Sequence, residues 1–291
     1  MLWQRSPAAR VLGLAVCGAQ PAAARQSHMM VETAERLQRH LDAVSLTSSP
    51  CIELISGSAV HTTGLAVLDS SFNPPTRAHM HILTHAAKKF GLTHSLLLLA
   101  KQNADKPVVG ASLLERLEMM EAIADAAEPA GSMLCGVTAH PLFVDKAIAL
   151  QALCKRGTRI VVLVGFDTWI RITDAKYYSS ERGLDTALRS IFEAVEVVVA
   201  SRDASSVVDL APLSADEQAT IVHSLPEEVT QQRLHFIHNP LEVAGLSSSA
   251  ARKAFAAGDG IGAHGMLPDC ILPLVKARGM YKNELDPNNS S

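Results

Sequence analysis

Residues 64–79 read Gly-Leu-Ala-Val-Leu-Asp-Ser-Ser-Phe-Asn-Pro-Pro-Thr-Arg-Ala-His, an apolar run followed by a proline-containing turn and the start of a helix. Pro74 and Pro75 lack N–H groups and fix the backbone, so the turn is rigid. Thr76 can cap the helix, and His79 then falls in its first turn. A helix start offers unpaired N–H groups and a partial positive charge. The stretch therefore predicts a strand, a tight turn and a helix start that suits a phosphate.

Short apolar runs alternate with helical patterns along the rest of the chain. The runs lie at residues 64–68, 96–100, 133–137, 160–164, 195–200 and 234–237. The predicted helices lie at about residues 31–44, 77–90, 112–127, 143–156, 185–194, 247–257 and 268–278. Continuous apolar runs are typical of parallel strands that are covered on both faces. The alternation predicts an α/β fold with a doubly wound parallel sheet.

The remaining segments suggest one domain with extensions. We expect the domain to span residues 31–282, with an edge strand within 52–60 and an insertion at about 203–232 around two prolines. Residues 283–291 are expected to be a disordered tail. Residues 1–30 contain three arginines and no acidic residue, so they are expected to be a tail or a targeting segment, mitochondrial or, less favoured, secretory. A cytoplasmic or nuclear location is expected, with a mitochondrial one as the alternative.

Composition excludes several classes of protein. The 291 residues are 48% hydrophobic and carry a net charge of −3, so a large core is expected and a basic nucleic-acid surface is not. No apolar run reaches the ~18 residues of a membrane helix. The five cysteines form no C-x-x-C pair, which disfavours a disulfide framework or a zinc site. No P-loop motif is present. The sequence does not determine the oligomeric state, and a homo-oligomer is possible.

A second helix start suited to phosphate lies near the C-terminus. Ser247 is expected to be its N-cap, and Ser248 and Ser249 supply the next N–H groups. Arg252 lies three to four residues further on and shares their face. A guanidinium group binds phosphate through two parallel hydrogen bonds. With His79, these residues predict a site for a triphosphate.

Five further residues are candidates for contacts with a nucleotide. Gly165 and Asp167 follow a predicted strand, where a carboxylate can accept hydrogen bonds from ribose hydroxyls. Trp169 could stack on a flat ring of a ligand or belong to the core. Asn103 and Lys106 are weaker candidates for the phosphate of a mononucleotide. His81 and His85 share a helix face with no acidic or cysteine ligand nearby, so no metal site is expected.

These motifs resemble those of the nucleotidyltransferases that act as nicotinamide or nicotinate mononucleotide adenylyltransferases, in their fungal, cytidylyltransferase-like branch. Residues 71–79 resemble the first signature of that family, in which Thr76 and His79 form its Thr-x-x-His variant. Residues 246–252 resemble its second signature, Ile-Ser-Ser-Thr-x-x-Arg. Residues 112–120, 164–167 and 267–281 resemble its other segments, in the same order along the chain. The resemblance spans about residues 63–281.

The resemblance implies a Rossmann-like fold and an adenylyltransferase that condenses nicotinamide mononucleotide with ATP to give NAD and pyrophosphate. Mg²⁺ would arrive on the ATP. Roles follow for the matched positions: His79 and Arg252 would be catalytic, and ATP phosphates would contact the residues Ser71, Phe72, Thr76, Ser247, Ser248 and Ser249. Asp167 and Gly165 would bind a ribose. One departure stands out, because Ser70 occupies a position where the family usually has glycine.

Two alternatives remain open at this point. The same fold could use nicotinate mononucleotide, phosphopantetheine or a CTP-dependent alcohol phosphate, since these enzymes share both signatures. A regulatory protein that binds ATP without catalysis is the other alternative, and Ser70 makes it conceivable.

Overall fold

The computed structural model describes residues 22–58, 62–102, 110–178, 183–202 and 212–281. Its strands are β1 Glu53–Ser56, β2 Gly64–Asp69, β3 His94–Ala100, β4 Met133–Thr138, β5 Arg159–Gly165, β6 Glu196–Ala200 and β7 Leu234–Ile237. Two units divide the chain, Met1–Arg36 and Leu37–Ser291, and the sheet belongs to the second.

Twelve helices are seen among the described residues. They are α1 Ala22–Ala43, α2 Arg77–Phe90, α3 Leu113–Asp125, α4 Phe143–Leu153, α5 Phe166–Ile172, α6 Leu184–Ala194, α7 Ala215–Val222, α8 Glu227–Thr230, α9 Leu241–Ala244, α10 Ser248–Ala256, α11 Gly260–Met266 and α12 Leu272–Arg278. Single 3₁₀ turns occur at Ala175–Tyr177 and Asp269–Ile271. None of the helices in these ranges is both long and apolar enough to cross a membrane.

The seven strands form one sheet in the order β1-β4-β3-β2-β5-β6-β7. Strands β2 to β7 are parallel to their neighbours, and only β1 pairs antiparallel, with β4. The chain order runs outward from β2 through β3 to β4, and then outward on the other side from β5 to β7. This is a doubly wound sheet, whose strand order reverses between β2 and β5. The predicted fold class is confirmed.

The sheet separates two apolar clusters. Along β2, Leu65 and Val67 belong to one cluster, whereas Ala66 and Leu68 belong to the other. Successive side chains of a strand point to opposite faces, so a strand that is buried on both faces is apolar at every position. This explains why the six parallel strands appear in the sequence as continuous apolar runs.

Several predicted boundaries need correction. Helix α1 begins at Ala22 and not at about residue 31, so its first turns lie within the segment 1–30. Helix α11 forms between the predicted helices at 247–257 and 268–278, and it is capped by Asp259, whose carboxylate accepts from the Gly262 N–H at 2.9 Å. The predicted insertion contains α7 and α8, while residues 203–211 and the predicted tail at 283–291 lie outside the described residues.

Candidate active site

The 70–76 loop, which joins β2 to α2, lies where the strand order reverses. Its backbone is held from β3 and from the start of α3. The Ser70 N–H donates to the Leu98 carbonyl at 3.3 Å, and the Ala111 N–H donates to the Asn73 side-chain oxygen at 3.0 Å. The guanidinium of Arg116, which is 3% exposed, lies 3.4 Å from the Ser71 carbonyl. The loop therefore has a fixed shape at the edge where such sheets bind ligands.

His79 lies in the first turn of α2 and bonds back to this loop. The Thr76 N–H donates to Nδ1 of His79 at 2.9 Å, and the Thr76 hydroxyl lies 2.8 Å from the same nitrogen. On the other side of the ring, Nε2 lies 3.1 Å from the Ser70 hydroxyl. The ring of Phe72 packs against the imidazole, with 5.5 Å between ring centres. Both nitrogens and one face of the imidazole are therefore positioned by the loop.

The charge state of His79 follows from these surroundings. Burial, with a smaller contribution from the positive charge of Arg202, lowers the pKa of His79 to about 3. The backbone N–H at Nδ1 favours the same state, because it requires a lone pair on that nitrogen. The imidazole is therefore neutral at physiological pH and carries its proton on Nε2.

The second predicted helix start packs directly on the same loop. Arg252 donates from Nη1 to the Asn73 carbonyl at 2.6 Å, and the Ser248 hydroxyl donates to the Pro74 carbonyl at 2.8 Å. Ser247 is the N-cap of α10, as predicted, since its hydroxyl accepts from the Ala250 N–H at 3.1 Å. Ser249 lies 3.4 Å from Nη2 of Arg252. Two motifs that are about 170 positions apart in sequence thus meet at one loop.

The carboxyl end of β5 supplies the neighbouring part of the site. Asp167 accepts from Nε of Arg202 at 3.0 Å, and each side chain is about one-third exposed. Gly165 lies beside this ion pair, and a Cβ atom at that position would come within 3.0 Å of Nε of Arg202. The arginine and aspartate therefore form a polar surface that faces solvent next to the 70–76 loop.

Arg202 was missed by the sequence analysis, although it follows the predicted strand at 195–200. Its backbone is held by Gln218 of α7, which is fully buried. The Gln218 side chain accepts from the Arg202 N–H at 3.0 Å and donates to the Arg202 carbonyl at 2.9 Å. An arginine two residues after an apolar strand, at the ligand edge of the sheet, was the available signal. The predicted insertion therefore supports the site through α7.

A buried ion pair underlies the start of the 70–76 loop. Lys146 of α4 donates to Asp69 at 2.6 Å, and the two side chains are 10% and 9% exposed. Asp69 is the last residue of β2, so the pair fixes the end of the strand beside Ser70. Its charge is compensated inside the protein, which explains how a carboxylate is tolerated next to a site for anions.

Three residues of the predicted site are buried. Trp169 is 1% exposed and packs in the cluster with Val164 and Phe192, so it is a core residue with no open face for a nicotinamide ring. Phe72 and Thr76 are fully buried, so neither residue is open to a phosphate. Their side chains position His79 instead.

The other predictions have simpler outcomes. Asn103 and Lys106 lie outside the described residues. Ser71 is half-buried within the loop. Among the residues for which positions are given, no three His, Cys, Asp or Glu side chains are grouped to hold a metal ion.

Comparisons with known proteins agree with this arrangement. The sequence profile of the family described as Cytidylyltransferase-like matches residues 67–254. A Schizosaccharomyces pombe protein named "Putative nicotinamide mononucleotide adenylyltransferase" is 33% identical over 241 residues, which are 81% of this chain and 94% of that protein.

Solved structures match in fold. Plasmodium falciparum nicotinic acid mononucleotide adenylyltransferase complexed with APC superposes with a TM-score of 0.53 at 13% identity, and the same enzyme complexed with NaAD gives 0.54 at 14%. Both matches cover 77% of this chain and 100% of the other. The family match includes the starts of α2 and α10 and most of the sheet. The chain belongs to the cytidylyltransferase-like family.

Proposed function

We propose that the protein is an adenylyltransferase that joins nicotinamide mononucleotide to ATP and forms NAD and pyrophosphate. The observation that carries the proposal is the meeting of His79 and Arg252 at the 70–76 loop, where Thr76 bonds the imidazole and Asn73 bonds the guanidinium. The name of the S. pombe relative and the likeness in fold to nicotinate mononucleotide adenylyltransferases support the same activity.

The reaction is a phosphoryl-centred displacement. The 5′-phosphate of the mononucleotide attacks the α-phosphorus of ATP, a new P–O bond forms, and the bond to the β-phosphate oxygen breaks to release pyrophosphate. The attacking phosphate is already an anion, so no covalent intermediate with the protein is needed. Catalysis then consists of positioning the reactants and stabilising the charge on the transferred and leaving phosphates.

Each part of the site has a separate role in this reaction. The helix start at Ser247 and the Arg252 guanidinium hold the leaving pyrophosphate by N–H donors and positive charge. His79 acts at the first helix start as a neutral group with its proton on Nε2. Asp167 accepts from ribose hydroxyls while Arg202 holds its carboxylate in place.

Mg²⁺ belongs to this proposal as part of the substrate MgATP. The two carboxylates nearest the loop are each paired with a cation, Asp69 with Lys146 and Asp167 with Arg202. That donor set does not fit a resident divalent ion, so no step here relies on a metal bound by the protein.

A pyrophosphate-release assay tests the proposal. ATP or CTP is offered against nicotinamide mononucleotide, nicotinate mononucleotide, phosphopantetheine and an alcohol phosphate, with the His79→Ala variant as the inactive control. Release from ATP with nicotinamide mononucleotide, together with NAD in the product, is expected. If pyrophosphate is released only with another acceptor, that acceptor is the substrate in place of nicotinamide mononucleotide. Nucleotide binding by calorimetry without release from any pair would favour a regulatory protein instead.

A further inference from the structure

The hydrogen bonds around His79 point to a role for Ser70, the residue that replaces the usual glycine. A backbone N–H can only donate, so the bond from Thr76 requires Nδ1 of His79 to accept. The neutral ring then carries its single proton on Nε2, which faces the Ser70 hydroxyl at 3.1 Å. The direction of this bond is thereby settled: the imidazole donates and the serine oxygen accepts.

This direction determines which proton can reach a ligand. Both ring nitrogens of His79 are engaged by the protein, Nδ1 by Thr76 and Nε2 by Ser70. The Ser70 hydroxyl still has its own proton, and within the described ranges its oxygen bonds to no group other than His79. Ser70 is half-buried and keeps part of its surface open at the loop. A hydroxyl that accepts one hydrogen bond becomes a stronger donor in the next.

We propose that the Ser70 hydroxyl donates the hydrogen bond to a triphosphate oxygen at this site, with His79 acting behind it as a positioning residue. The proposal rests on the proposed function for the class of ligand, a nucleoside triphosphate. It assigns the direct contact to the serine that this chain has in place of glycine. A bond from a hydroxyl to a phosphate oxygen is charge-assisted and so among the stronger kinds.

The first test measures the affinity for a non-hydrolysable ATP analogue by calorimetry, without any acceptor. Ser70→Ala removes the donor, and we expect its Kd to rise by about 10- to 100-fold, the usual effect of losing a hydrogen bond to a charged group. Ser70→Thr keeps a hydroxyl and is expected to stay within about 3-fold of the wild type. Ser190→Ala is the matched control, since this half-buried serine of α6 bonds only the carbonyl of Thr186.

A double-mutant cycle separates this role from a structural one. If Ser70 and His79 act as one unit, Ser70→Ala combined with His79→Ala weakens analogue binding no more than the stronger single variant does. Nitrogen NMR of the wild-type imidazole adds a second signature, because Nε2 should remain protonated and bonded to Ser70 when the analogue is bound. Circular dichroism and Tm values show whether each variant folds.

The outcomes are distinct. An unchanged or lower Kd for a folded Ser70→Ala variant, or effects of the two variants that simply add, would overturn the inference, and so would a wild-type protein that does not bind the analogue. Weakened binding in Ser70→Ala with no pyrophosphate release from any acceptor supports the inference while the proposed function fails. If the wild type releases pyrophosphate but Ser70→Ala binds the analogue as tightly as the wild type does, the proposed function is supported and the inference is overturned.

Discussion

Arg252 and Asn73 lie 179 positions apart in sequence, yet the guanidinium of the first donates to the carbonyl of the second at 2.6 Å. The arginine thus connects α10 to the loop that precedes α2. It does so with one nitrogen of its planar group, and a second nitrogen lies near the Ser249 hydroxyl. The same side chain therefore lies against both the 70–76 loop and the first turn of α10.

Replacing Arg252 should mainly affect the use of ATP. We expect Arg252→Ala to lower kcat/KM for ATP by about 100-fold, because one charged contact to the leaving group and one tie to the loop are lost together. Arg252→Lys should recover only part of the lost kcat/KM, since an ammonium group keeps the positive charge but lacks the planar pair of donors of a guanidinium group. Steady-state kinetics with varied ATP check the result. Lys253→Ala, an exposed cation on the same helix, serves as the control, and equal effects of the two alanine variants would contradict the assignment.

Replacing His79 should affect the chemical step. We expect His79→Ala to lower kcat by about 100- to 1000-fold, because the Ser70 hydroxyl loses the imidazole that positions it, and the loss of one charge-stabilising donor usually has an effect of this size. The core contacts of α2 are made by other residues, so the fold should persist. Rapid-quench or steady-state rates measure the effect, and His85→Ala provides an exposed histidine on the same helix as the control. Activity within a few-fold of the wild type would refute the role of the imidazole.

The pKa of His79 predicts a specific acid sensitivity. The folded pKa is about 3, below the unfolded value of about 6.5. Between these values the unfolded chain binds a proton that the folded protein does not, so the free energy of unfolding falls as the pH falls. The slope from this group is at most ~1.4 kcal/mol per pH unit, and the full stability is present above pH 6.5.

Urea unfolding at several pH values measures this slope. In His79→Asn the amide oxygen can still accept from the Thr76 N–H, but the titrating group is gone. The difference in unfolding free energy between the two proteins should therefore change between pH 6.5 and pH 3 and be constant above. If the unfolding free energies of the two proteins differ by the same amount at every pH from 3 to 6.5, the low pKa of His79 would be contradicted.

Removing the charge of Arg202 should raise the pKa of His79. A nearby cation disfavours a protonated imidazole, so Arg202→Met relieves that repulsion. Because burial is the larger cause, the pKa should still remain below 6.5. Proton or nitrogen NMR titration of the imidazole gives the value. Arg189→Met on α6 is a control cation, and a His79 pKa that falls or stays constant in Arg202→Met would be inconsistent with the geometry.

The buried pair of Lys146 and Asp69 predicts a loss of stability. Lys146→Met leaves the Asp69 carboxylate without its cation in a buried position, which should cost about 3 to 5 kcal/mol in unfolding free energy. Adding Asp69→Asn should restore part of the loss. Asp185→Ala breaks the exposed pair with Arg189 and should cost less than about 1 kcal/mol in the same urea experiment. A smaller loss for Lys146→Met than for Asp185→Ala would contradict this reasoning.

The sheet could be predicted from the sequence because its strands are buried on both faces. Each of the six parallel strands overlaps a predicted apolar run, and the run at 234–237 matches β7. The helix at Gly260–Met266 could not be predicted in this way, because glycine has a low intrinsic preference for helix and only the surrounding fold supports it. Trp169 shows the same limit, since both a core role and a ligand role were open until its burial was known.

Within the site, motifs predicted the helix starts but not the contacts between side chains. His79 and Arg252 were predicted from local patterns, and the fold brings both to one loop, where Thr76 bonds the imidazole and Asn73 bonds the guanidinium. Arg202 and Gln218 belong to no motif, because their role depends on where the chain returns after β6. The bond between Ser70 and His79 depends on a tautomer, which only the three-dimensional arrangement around the ring determines.

The attachment of the 70–76 loop to α10 also has a consequence for how the protein is made. Ser248 and Arg252 lie in the last fifth of the chain, so during translation the loop emerges long before the groups that hold it in shape. A ribosome-bound chain that ends before Ser248 therefore has an incomplete nucleotide pocket. We expect ATP capture to begin only after synthesis of the C-terminal helices, which makes nucleotide binding a late marker of the finished polypeptide.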